Sequence, residues 1–172
     1  MTDTAQSRHP TETAAVLKAQ YRSALHMLGA AIGKCPDSLW TSAKGHDAPY
    51  WRIAFHALFF THFYLQTDKD HMARWPKHRG QLQDLSGPPA EVDDVYTRDE
   101  ILEYLAFCRG MVDGCVDAMD LSAADCGFPW YRQGKLEHQL NNIRHIQHHV
   151  AQLGDRLRSA TGQGIDWPVG PV

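Results

Sequence analysis

The sequence predicts an all-α protein: a four-helix bundle in up-down-down-up order, with a long crossover between its second and third helices. Three observations carry this. Four segments place apolar residues at steps of three and four, no stretch shows strand-like alternation, and one connection of about thirty residues separates the second and third segments. The chain, residues 1–172, reads as a single domain of this kind. With 43% hydrophobic residues it is long enough to bury roughly 70% of the surface that its unfolded form exposes, so its core needs no metal to form.

The first helix is expected over residues 11–33, opening at Thr11, a candidate N-cap behind Pro10, with Ala14, Leu17, Tyr21, Leu25, Leu28 and Ile32 on one face. Gly33 and Pro36 stop it. The second, over 48–66, follows a candidate Asp47 cap and takes Pro49 into its first turn, where a missing N–H is harmless. Trp51, Phe55, Leu58, Phe59, Phe60, Phe63, Tyr64 and Leu65 make it apolar nearly all round, which is more than one bundle core covers. A homodimer interface is the expected cover, with the long crossover as the alternative.

The third helix, over 97–119, opens on Thr97-Arg98-Asp99-Glu100, a capping box, and continues through Ile101, Leu105, Cys108, Val112, Cys115 and Met119. The fourth, over 135–159, begins after Gly134 and buries Leu136, Ile143, Ile146, Val150, Leu153 and Leu157. Between the second and third lies the connection from Thr67 to Tyr96, including Ser86-Gly87-Pro88-Pro89. Neighbours in antiparallel bundles need roughly two to eight residues. The greater length can climb back along a helix of about 30 Å, which makes the second and third helices parallel. The turn from Leu121 to Gly134, with Phe128-Pro129-Trp130-Tyr131, is a candidate border for a pocket.

Charge and composition narrow the function. Seventeen basic and 20 acidic side chains give a net charge of −3, and no Lys/Arg cluster tracks a phosphate backbone, so nucleic acid is not an expected partner. No apolar run reaches the length of a membrane span, and residues 1–10 lack the apolar segment of an export signal, so a soluble, cytoplasmic protein is expected. Cys35, Cys108, Cys115 and Cys126 form no CxxC pair and read as reduced thiols, those of the third helix as buried structural cysteines.

Histidine carries the chemistry. His145 and His149 stand one turn apart in Arg144-His145-Ile146-Gln147-His148-His149, about 40° around the axis and about 6 Å along it, so both rings can reach one metal ion. Eleven histidines would give about 0.7 such pairs by chance, so the spacing needs context. The same stripe holds His138, Asn142, Gln152 and Arg156 beside the aliphatic face, which makes it either a solvated flank or the wall of a cleft. His138, about 10 Å from His145, is a pocket or supporting residue at most. His148 projects elsewhere. On the second helix His56 shares an arc with Ile53, Phe60 and Phe63, where an imidazole needs a partner or costs a few kcal/mol. Alone it is a satisfied core histidine; with the second and fourth helices as inward-facing neighbours it completes a three-histidine site with open positions. His62 lies too far around the helix to replace it.

Two stretches, Tyr50-Trp51-Arg52-Ile53-Ala54-Phe55-His56-Ala57-Leu58-Phe59-Phe60 and Asn142-Ile143-Arg144-His145-Ile146-Gln147-His148-His149-Val150-Ala151-Gln152-Leu153, resemble the signature segments of the DinB/YfiT-like superfamily of metal-dependent enzymes. The likeness covers roughly residues 11–159 and implies an up-down-down-up bundle, often homodimeric. It also implies a divalent metal, zinc or nickel, on His56, His145 and His149. Val150 and Ala151 stand where many relatives carry Arg and Gly. The resemblance implies a transferase that activates a low-molecular-weight thiol; a hydrolase using metal-bound hydroxide and a non-catalytic dimeric binding module are the alternatives. Because free imidazole titrates near 6.5, metal binding is expected to fade as pH falls through about that value.

Overall fold

The computed structural model describes residues 10–86 and 94–170. Five helices and no strand occur among them: α1 (Pro10–Lys34), α2 (Asp37–Trp40), α3 (Tyr50–Tyr64), α4 (Arg98–Ala118) and α5 (Lys135–Thr161). None is long and apolar enough to cross a membrane.

The helix ends differ from expectation where local chemistry competes. Pro10 is already helical, so Thr11 lies inside α1 and is not its cap; proline is tolerated in a first turn. α2 was not expected: Pro36, in extended conformation, leads into a single turn whose Trp40 is buried and donates to the Tyr96 carbonyl at 2.9 Å. Asp47 does not cap α3. Pro49 itself sits at the N-cap (φ −64°, ψ 157°), and the residue before a proline avoids helical backbone, so the helix starts at Tyr50 rather than 48. The Thr97–Glu100 capping box forms as read, with the Glu100 N–H on the Thr97 hydroxyl at 3.2 Å and the Thr97 N–H on the Glu100 carboxylate at 2.8 Å. α5 runs two residues past 159 because its stop is Gly162, whose φ of 74° suits a residue without Cβ and whose N–H closes on the Arg158 carbonyl at 2.8 Å.

Side-chain pairs show how the long helices lie. Along α1 and α4 the numbers run in opposite senses, Lys18 with Asp117 (2.7 Å) and Arg22 with Asp113 (2.5 Å). Along α1 and α5 they rise together, Tyr21 with Gln139 (2.7 Å) and Met27 with Gln147 (3.7 Å). α3 and α5 oppose: Gln139 donates to the Tyr64 carbonyl (3.0 Å), Asn142 to that of Thr61 (3.4 Å), and His145 meets His56 (3.1 Å). α3 and α4 rise together through Phe55–Tyr104 and Leu58–Cys108.

The crossover covers part of the apolar surface of α3. Tyr96 stacks on Phe55 at 4.7 Å, Trp75 stacks on Tyr104 at 4.4 Å, and Leu82 is buried in the same core. Phe59, Phe60 and Phe63 of that set stay half-buried. Residues 87–89 of the Ser86–Pro89 segment lie outside the described residues. The start of the turn from Leu121 to Gly134 borders a pocket of about 270 Å³ through Leu121 and Ser122, while Phe128 further along is fully buried with Tyr64 and Cys126 in a smaller second cluster. All four cysteines are free.

Candidate metal centre

The opposed run of α3 and α5 brings His56 level with the His145–His149 face. The His145 Nε2 lies 3.1 Å from that of His56 and 3.0 Å from that of His149, and one nitrogen from each of the three rings lies within 4.8 Å of the others. Nitrogens sharing a tetrahedral ion at about 2.05 Å stand roughly 3.3 Å apart, so the 3.0 and 3.1 Å spacings about His145 suit a common cation. His149 is 4% exposed; His56 and His145 are half-buried.

Hydrogen bonds on the far side of two rings fix which nitrogen is bare. The His56 Nδ1–H donates to the Gln83 carbonyl at 2.5 Å, and the His149 Nδ1–H to Gln152 Oε1 at 2.7 Å. Both rings therefore turn a lone pair at Nε2 toward His145. The His145 Nδ1 is buried without a hydrogen-bond partner. One proton on its Nε2 satisfies one facing lone pair and not the other; moved to Nδ1, that proton is stranded and three lone pairs face one another. Protonating both nitrogens is opposed mainly by burial, with His149 and His56 adding to it, and the His145 pKa is pushed down to about 3. Burial likewise lowers His149 to about 4, with His56 contributing, and lowers His56 despite its bond to Gln83. A divalent cation accepts all three lone pairs at once, and the donor set fits one. With all three rings lowered by burial, protonation competes with a metal only below the ordinary imidazole range.

Of the rest of the polar stripe, only Gln152 is exposed. His138, Asn142 and Arg156 are all at most 4% exposed. Arg156 holds the carbonyls of Ala48 (2.9 Å) and Ser42 (2.6 Å). With Gln152, Ile53, Leu85 and Asp155 it lines a cleft of about 290 Å³, which begins one helical turn from the histidines. Gln152 supports the site directly through His149; His138 does not. The His138 ring is fully buried among Phe128 (4.8 Å), Tyr64 (4.8 Å) and Tyr131 (5.1 Å). His62 bonds the Tyr104 hydroxyl at 3.1 Å, away from the trio, and His148 is exposed. Sequence reasoning missed the Gln83 carbonyl, since any residue can supply one.

No family model matches this chain, and no curated protein or solved structure shows significant similarity to it.

Proposed function

We propose that this protein is a metal-dependent enzyme of the DinB/YfiT-like type, with zinc or nickel on His56, His145 and His149, acting as a transferase on a low-molecular-weight thiol. The observation that carries the reading is the convergence of three Nε2 atoms, two of them bared by hydrogen bonds at Nδ1. The order of the helix pairings supports an up-down-down-up four-helix bundle, with the crossover returning the chain between α3 and α4.

A divalent ion at this place supplies Lewis acidity, which lowers the pKa of a thiol or water bound beside it. The chain's own part is positional. Gln83 and Gln152 hold two rings in the tautomer that donates, and burial keeps all three neutral near pH 7. The neighbouring cleft offers room for a small molecule. The protein's own cysteines are poor nucleophiles: burial pushes Cys35 up to about 11 and raises Cys108 and Cys115, while Cys126 is fully buried beside Phe128 and Tyr64. A reacting thiol therefore comes from outside the chain.

Elemental analysis of the purified protein, followed by thiol consumption with an electrophile, tests the reading. Stoichiometric metal and metal-dependent thiol loss are expected. Turnover without thiol would favour a hydrolase, and absence of both metal and turnover would leave a binding module.

A further inference from the structure

Arg52 and His56, one turn apart on α3, together grip three consecutive carbonyls of the crossover. Arg52 Nε donates to the Leu82 carbonyl at 3.3 Å and Nη2 to that of Asp84 at 2.7 Å, while His56 Nδ1 takes the Gln83 carbonyl between them. Arg52 is 3% exposed, and Leu82, at 5%, anchors the segment in the core. Residues 82–85 form no backbone–backbone hydrogen bond among the described residues, so side chains set where this strap lies.

We propose that Arg52 is a positioning residue of the metal centre: it fixes the strap at residues 82–84, whose middle carbonyl orients His56 and selects its donating tautomer. The inference rests on the metal reading above. A guanidinium is always charged and presents its N–H groups in a rigid plane, so it holds two carbonyls in one arrangement that a flexible ammonium cannot reproduce. With the strap unhooked, His56 Nδ1 loses its acceptor, the ring is free to turn or change tautomer, and the third ligand is no longer preset. The coupling runs both ways: a cation on Nε2 makes the Nδ1–H a stronger donor to Gln83, so metal and strap stabilise each other.

The molecule contains its own control. Arg156 is equally buried, at 4% exposed, and also holds two backbone carbonyls, but those of Ser42 and Ala48, which do not touch the three histidines. The test uses the full chain stripped by chelation, with Zn²⁺ affinity measured by competition against a chromophoric chelator and Co²⁺ absorption recording ligand geometry. Arg52→Met should lower Zn²⁺ affinity about 10–100-fold and alter the Co²⁺ spectrum. Arg52→Lys should fall between, and Arg156→Met should bind as wild type. Wild-type affinity in Arg52→Met, or an equal loss in Arg156→Met, would overturn the proposal alone. A wild-type protein that takes up no metal would overturn the metal reading and this role with it. Should Arg52→Met fail to fold, Leu82→Ala loosens the strap from its other end: reduced affinity supports the role of the strap, and unchanged affinity rejects it.

Discussion

α5 carries histidines in two places that share a pKa lowered by burial and an unpartnered ring nitrogen. At its N-terminal end His138 is fully buried, its pKa is lowered to about 4 by burial, and its Nε2 has no hydrogen-bond partner. Near its middle His145 and His149 are similarly depressed, and His145 Nδ1 is similarly unpartnered. The difference is what the rings face. His138 meets the aromatic faces and edges of Tyr64, Phe128 and Tyr131, whereas His145 meets two bare nitrogens. Burial and a lowered pKa accompany both, so neither marks a metal site; converging lone pairs do.

The sharpest way to break this contrast is to remove one ring from each group. His56→Ala should lower metal affinity by at least about 100-fold with the helical signal retained, whereas His138→Ala should keep its metal and lose about 3 kcal/mol of stability from the cavity. Metal content by elemental analysis and chemical denaturation separate the two.

Acid comes next. His62, His138 and His149, near 4, and His145, near 3, all lie below the 6.5 of an unfolded chain, so the unfolded state binds more protons between those limits. Stability of the metal-free protein should therefore fall as pH drops from 6.5 toward 4, by up to about 1.4 kcal/mol per pH unit for each histidine. His138→Phe should reduce that slope by one proton and leave metal binding unchanged. Metal should stay bound below pH 6, since His145 and His149 remain neutral there and burial lowers His56 as well. A smaller effect is expected from Gln152→Ala, which frees His149 Nδ1 and should weaken metal binding about tenfold, measured by chelator competition. Smallest is Thr97→Ala, far from both groups, which should cost about 1 kcal/mol by denaturation with no change in metal affinity.

What was legible in the sequence was local. Thr97 and Glu100 specify a helix start within four residues, and His145 and His149 declare their shared face by spacing alone. α2 was not legible, because a single turn ending on Trp40 is held by a carbonyl at Tyr96, far along the chain. Pro49 displaced the expected cap through backbone sterics that outweighed the Asp47 side chain. His56 could be joined to the pair only by assuming that α3 and α5 are neighbours. His138 shared the polar stripe but lies two turns away, where Phe128 stacks on it. Arg52, one turn before His56, passed unremarked in the sequence because its partners, the carbonyls of Leu82 and Asp84, come only with the crossover in place.

X-ray absorption on the zinc-loaded protein probes the central claim most directly. Nitrogen ligands at about 2.0–2.1 Å with the outer-shell pattern of three imidazoles, falling to two in His56→Ala, are the result expected here. Sulfur ligands near 2.3 Å, or an imidazole count that His56→Ala leaves unchanged, would contradict it.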